Sequence, residues 1–276
     1  MPTAPADQPD DDFLSGTSGQ VTGIRATTLA SWLDLLHDAL ALARGDPCRL
    51  PRAARPPPPR QVLALAIERT DVPNLLEPAR QELLRSRHAV TFARAPAGPR
   101  GKFQNLNTLL AADPPRGHDW LVVVDDDVVL PPGFLDSFIF LAEHFGLHLA
   151  QPAHRRRSHA AWAVTRRRAG TVARETAFVE IGPVFAFHSS TFGVLLPFPE
   201  LRAGWGLDAH WSALARERGW RLGVIDATAV RHSSRQIASG YDRHDAIAEA
   251  REFLRGRAYT RAPQAQQTLV SHRSWR

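Results

Sequence analysis

The sequence predicts a three-layer α/β fold with a mostly parallel sheet, and three observations carry that expectation. From Gln61 onward, apolar runs of strand length alternate with amphipathic runs of helix length. The stretch "DWLVVVD" is apolar throughout its interior, as a strand covered on both faces should be. It then runs straight into Asp125, Asp126 and Asp127. In open α/β sheets that carboxyl end of a strand is where ligands sit.

Taken in order, residues 1–25 are rich in Pro, Asp, Gly, Ser and Thr and are expected to be disordered. Leu29, Trp32, Leu33, Leu36, Leu40 and Ala43 recur at helical spacing and predict an amphipathic helix over 26–46, ending near Gly45. Residues 47–60 are read as a stiff linker, because proline removes donors and fixes φ. The main domain is expected over 61–256, with strands at 61–68, 88–94, 119–125 and 147–153 and helices at 73–87, 102–112 and 133–146. A strand pair at 178–187 and a closing strand at 221–232 follow, and 257–276 is left as a tail. No internal repeat is present.

Composition narrows the function. The net charge is +6, and Lys102 is the sole lysine among 34 basic residues. Arginine abundance therefore reflects background usage, while the positive balance permits anionic partners such as nucleotide diphosphates, phospholipids or nucleic acid. One cysteine, Cys48, excludes an internal disulfide framework and a cysteine-rich zinc site. With no signal peptide and no apolar run long enough to span a bilayer, a cytoplasmic protein without a transmembrane segment is expected.

Three adjacent carboxylates repel one another and resist desolvation, so something positive must meet them. Hard divalent cations want oxygen ligands, and two carboxylates on one tight turn can anchor Mg²⁺ or Mn²⁺ while leaving positions for substrate phosphates. Turn capping by the Asp side chains is the plainer alternative. An apolar strand followed by "DDDVVL" also fits the haloacid-dehalogenase-like phosphatases. That family, however, implies a downstream lysine, and none follows Lys102.

Three further segments resemble the GT-A fold glycosyltransferases that use nucleotide-diphospho-sugars, in particular family-2-like members. "GKFQNLN" resembles the segment that brings a basic residue and an Asn near the donor nucleotide. "RAGWGLDAHW" resembles an acceptor-site Gly-Trp-Gly followed by an acidic residue. "RLGVIDATAVRH" is similar to a closing strand whose histidine completes a metal site. The resemblance covers about residues 61–255 and implies a Rossmann-like single catalytic domain preceded by the N-terminal helix. Where many members have Glu-Asp, this chain has Leu207-Asp208. The Gln-x-x-Arg-Trp motif and the membrane segment of processive polymer synthases are both missing from the sequence.

The resemblance implies a nucleotide-diphosphate sugar as donor, an unidentified acceptor and a Mn²⁺ or Mg²⁺ cofactor. Lys102, Asn105, Asp125, Asp126 and Asp127 would then lie at the donor, with Asp125 toward the ribose and Asp126 free to point elsewhere. Asp127 and His232 would ligate the metal. Trp205 and Gly206 would face the acceptor, with Trp205 stacking on a sugar or else packed in the core. Asp208 is either a helix N-cap, worth ~1 kcal/mol, or the general base that takes the acceptor proton. The Lys102 stem could instead cover apolar surface, and Asp226 is expected at a turn or strand edge. The triplets Arg155–Arg157 and Arg166–Arg168 are expected on a solvated loop. Aromatic side chains are too sparse among them for nucleic-acid stacking.

Overall fold

The computed structural model describes residues 11–17, 19–232 and 242–276. Its helices and strands, in chain order, begin with α1 (Ile24–Ala43), α2 (Asp46–Ala53), β1 (Gln61–Glu68), α3 (Leu76–Leu84) and β2 (Ala89–Pro96). Then come α4 (Lys102–Ala112), β3 (Trp120–Asp125), β4 (Val128–Val129), α5 (Phe134–His144) and β5 (Leu149–His154). The remainder is β6 (Ala173–Thr176), β7 (Val184–His188), α6 (Phe192–Leu195), α7 (Leu207–Arg218), β8 (Leu222–His232), α8 (Arg243–Leu254), α9 (Ala262–Ala265) and β9 (Thr268–His272).

One sheet organises the molecule, in the order β2-β1-β3-β7-β5-β8-β6-β9, with β4 paired to β8. Most strands share a direction, and β4, β6 and β7 oppose them. Strand periodicity sends alternate side chains to opposite faces. Val62, Ala64, Trp120, Val122 and Val124 pack with α3 and α5 on one side. Leu63, Leu65, Leu121 and Val123 pack with Phe103, Trp211 and Phe253 of α4, α7 and α8 on the other. Full burial on both faces is why β1 and β3 read as unbroken apolar runs. Each large side chain so removed from water contributes ~1.5–3 kcal/mol.

Several sequence expectations give way. Residues 1–10 and 18 of the expected disordered segment lie outside the described residues. The rest of it includes a docked turn: Phe13 is buried against Tyr259, and Asp11 and Asp12 pair with Arg251 and Arg261. The expected linker contains helix α2, because Pro47 falls in its first turn, where no N–H is needed, although Pro51 lies in its interior. The expected tail supplies β9, an edge strand on β6, and Trp275 joins the core.

The arginine triplets are only partly solvated: Arg157 and Arg168 are exposed, and the other four are half-buried or buried. Arg155 and Arg167 pair with Asp38 at 2.5 and 2.6 Å, and Arg166 donates to the carbonyls of Arg156, Ser158 and Gly19. Two acids on α1, the buried Asp34 and the half-buried Asp38, draw them inward, partners that a local charge run cannot reveal. Nor is Asp226 at a turn or strand edge. It sits within β8, 1% exposed, paired with the equally buried Arg174 through two hydrogen bonds of 2.8 and 3.0 Å. It also accepts from the Thr171 hydroxyl and the Arg168 N–H.

Breaking such a pair strands a charge in low dielectric, whereas removing both charges relieves the desolvation cost. Arg174→Met and Asp226→Leu should each cost ~3–5 kcal/mol in chemical denaturation, and the double variant should recover most of that loss.

Candidate active site

β3 ends by delivering three carboxylates into a tight turn, and the structure sends each to a different partner. Asp125 Oδ1 meets Lys102 Nζ at 2.6 Å. The Asp126 carboxylate turns back to accept the Arg69 N–H at 2.7 Å, and its carbonyl accepts the Leu75 N–H at 2.6 Å. Asp127 Oδ1 lies 3.0 Å from His232 Nε2. This last contact follows from pairing: β4 runs antiparallel to the end of β8 with Val128 opposite His232. Asp127 and His232, 105 positions apart in sequence, are thereby brought side by side.

Ligand atoms from Asp125, Asp127 and His232 all lie within 4.8 Å of one another. Two carboxylate oxygens and one imidazole nitrogen form a donor set suited to Mn²⁺ or Mg²⁺, the nitrogen tilting it toward Mn²⁺. Burial works against the charged imidazole of His232. Its hydrogen bond to Asp127, with the charges of Asp127, Asp125 and Glu180, outweighs burial and raises its pKa.

Behind His232 stands a layer that sequence reasoning missed. His159 packs edge-on to His232 with ring centres 5.5 Å apart, and the buried His154 bonds Glu180. Burial, then the neighbouring His232, His154 and Arg166, push His159 down to about 4, so it is neutral near pH 7. Glu180 is fixed in turn by its own N–H, which donates to Gln151 at 2.6 Å. The signal was present in "HRRRSH", whose flanking histidines are His154 and His159, but the arginines between them dominate that stretch.

Lys102 opens α4 and reaches across to the Ile181 carbonyl at 3.0 Å as well as to Asp125. Asp208 lies on the other side of the same residue, whose N–H favours its carboxylate, and it accepts the Ala209 N–H at 2.9 Å. One residue, Ile181, therefore links the lysine and the acid. Asp208 occupies the second position of α7, after Gly206. Its side chain bonds a first-turn N–H from inside the helix, so it is not the N-cap of α7, a place held by Gly206. Burial drives its carboxyl up to about 7, helped by the charge of Glu180 and opposed by those N–H bonds.

The glycine-flanked motif is a packing device as well. Gly204 and Gly206 both have positive φ, 78° and 81°. A Cβ on Gly204 would fall 2.0 Å from the Phe103 ring, and one on Gly206 would lie 3.0 Å from Leu254. A Cβ on Gly101 would fall 2.2 Å from the Arg202 backbone, where the Lys102 N–H also donates to the Arg202 carbonyl. The "GKF" and "RAGWG" segments are thus pressed together. Glu249 of α8 secures the second by accepting the N–H groups of Arg202, Ala203 and Gly204. Trp205 packs half-buried on the core with Arg243 over its ring at 6.0 Å. Asn105 does not join the carboxylates through any of its contacts here: its amide donates to the carbonyls of Ala97 and Arg100.

No protein-family model and no curated protein matches the sequence. The chain is similar in structure to the mannosyltransferase PcManGT from Pyrobaculum calidifontis in complex with GDP-Man and Mn²⁺. The identity there is 16%, covering 78% of this chain and 70% of that one, with a TM-score of 0.47. It is also similar to the catalytic domain of Drosophila beta1,4galactosyltransferase 7 complexed with xylobiose, at 13% identity, 67% and 75% coverage and a TM-score of 0.43. A third likeness is to S. aureus TarS in complex with UDP-GlcNAc, at 11% identity, 66% and 62% coverage and a TM-score of 0.43.

The buried carboxyl makes a prediction about stability. With its folded pKa of about 7 above the ordinary 3.8, Asp208 binds its proton more tightly folded than unfolded. Its contribution is complete below the unfolded value and is lost as pH rises through the folded one. Asp208→Asn cannot titrate, so the native chain should lose ~4 kcal/mol relative to this variant between acid and mildly alkaline pH. Denaturation of both proteins across that range measures the difference.

Proposed function

We propose that this chain is a GT-A-like, divalent-metal-dependent glycosyltransferase that moves a sugar from a nucleotide diphosphate to an acceptor hydroxyl. The observation that carries the reading is the convergence of Asp125, Asp127 and His232 within 4.8 Å at the end of a central strand. The buried Asp208, joined to Lys102 through Ile181, supports it. A divalent cation held by those three residues would neutralise the diphosphate as it departs.

The chain's own groups supply the rest. Lys102 places an ammonium beside Asp125, where a phosphate oxygen could compete for it. Asp125 and Lys102 bind and orient the donor, while Asp126 holds the β1–α3 loop that borders it. Trp205 and Gly206 line the acceptor side. Asp208 takes the acceptor proton as the hydroxyl attacks the anomeric carbon, and a carboxyl poised near 7 suits a base that must work near neutral pH. Attack from a single base carboxylate favours inversion at that carbon. A cytoplasmic location, as expected from the lone cysteine, belongs to the same reading; among the described residues no helix is long and apolar enough to cross a membrane.

Asp127→Ala should abolish Mn²⁺-dependent binding of nucleoside diphosphates, scored by thermal shift, because a ligand that binds only the folded state raises its melting temperature. Binding that persists unchanged in this variant counts against the metal assignment.

Asp208→Asn should still bind donor and metal, yet lose transfer by ~100-fold or more. Native transfer should rise with pH through about 7, as the Asp208 carboxyl ionises, and level off above it. Full activity in the Asn variant, or hydrolysis of simple phosphate monoesters without transfer, would overturn the reading.

A further inference from the structure

Helix α1 is mounted with its apolar side outward. Ile24, Leu29, Trp32, Leu35, Leu36 and Leu42 are each more than half exposed, up to 88% at Ile24 and 66% at Trp32. Among the described residues, seven of the twelve exposed large apolar side chains belong to this one helix. Its polar side faces the protein. Asp34 accepts the N–H groups of Arg156 and Arg157 at 2.7 and 2.9 Å, Asp38 pairs with Arg155 and Arg167, and His37 is buried. These charge-assisted bonds fix the orientation, so the outward face is built and not merely frayed. Scattered surface leucines need no explanation, but a contiguous apolar patch marks an interaction site.

We propose that this face docks the protein onto an anionic lipid surface, with α1 lying in the plane of the headgroups. Charge decides between occupants. The acids of α1 and α2 are turned inward or paired: Asp34 and Asp46 are buried and Asp38 is bound by two arginines. The exposed ionic side chains of both helices are all arginines, namely Arg25, Arg49 and Arg52; Arg49 lines one hollow with Leu42, and Arg157 borders Trp32 and Leu35. An apolar helical face with an interfacial Trp and a basic rim matches an acyl layer beneath anionic headgroups. A second copy matches poorly, because a two-fold antiparallel pairing of α1 would bring the Arg25 end against the Arg49 and Arg52 end of its partner. The remaining segments of this sequence, 1–10, 18 and 233–241, contain only Met1, Ile237 and Tyr241 as large apolar side chains, too few to cover the face. The twenty residues of α1 would lay ~30 Å of helix on the surface.

Docking would also orient the candidate active site. Asp34 grips the backbone of Arg157, two residues before His159, which packs against His232. The docking face itself stands independently of the chemistry at Asp125 and Asp208.

Flotation of the full chain with lipid vesicles tests the inference. Vesicles of phosphatidylcholine mixed with phosphatidylserine should carry the protein, and phosphatidylcholine alone should carry far less. The pair Trp32→Ala with Leu36→Glu should lower partitioning by ~10-fold or more. The pair Arg49→Glu with Arg52→Glu should abolish the preference for phosphatidylserine. All four side chains are exposed, so melting temperatures should stay native. Absence of binding to either vesicle, or binding that neither pair weakens, overturns the proposal. So does a stable dimer that Leu36→Glu dissolves while vesicles capture nothing.

Discussion

Three consecutive carboxylates at the end of one buried strand are the constraint around which this molecule is arranged. Left together they would repel and resist desolvation, and no single partner could serve all three. The fold resolves this by division. An ammonium from α4 meets Asp125, backbone N–H from the loop after β1 meets Asp126, and an imidazole from the end of β8 meets Asp127. Each partner arrives from a different part of the chain. Satisfying the acidic turn therefore obliges α4, the β1–α3 loop and the last long strand to converge on it.

That convergence explains why small residues gather where they do. Lys102 can reach Asp125 only if α4 begins close against the 202–204 segment, and Gly101 and Gly204 permit that approach where a Cβ would collide. The same close fit sets the start of α7 and hence Asp208, whose carboxyl then lies against Ile181 and feels Glu180. Glu180 acts on both sites, its charge helping to raise the pKa of the Asp208 carboxyl and of the His232 imidazole alike. Metal-binding and proton-accepting candidates are thus electrically coupled through one buried glutamate that touches His154. A change at Glu180 would reach both without touching either.

What the sequence revealed divides along a physical line. Local pattern was enough for β1, β3 and α4, where burial on both faces or a clean helical stripe writes itself into consecutive residues. It was enough for the acidic turn too, because crowded charge is visible without a structure. It failed where meaning depended on a distant partner. The arginine triplets read as solvated until the buried Asp34 and the half-buried Asp38 are known to face them, and Asp226 read as a strand edge until Arg174 is seen beside it. The C-terminal strand went unread because an edge strand of five residues carries little pattern, and only its pairing with β6 defines it.

The amphipathic helix is the instructive case, since its period was read correctly and its orientation was not specified by it. A stripe of leucines ordinarily turns inward because water is the alternative. Here the inward side was taken by two aspartates with arginine and backbone N–H partners waiting, interactions stronger than neutral hydrogen bonds and lost if the helix rolled over. Rolling α1 to bury Trp32 would instead leave the half-buried Arg155 and the buried Arg167 without their acids, a penalty that apolar burial must exceed. An apolar face kept outward against that pull is stable in water only at a cost in exposed surface. A partner that covers it with apolar matter and meets its arginines with negative charge would recover that cost.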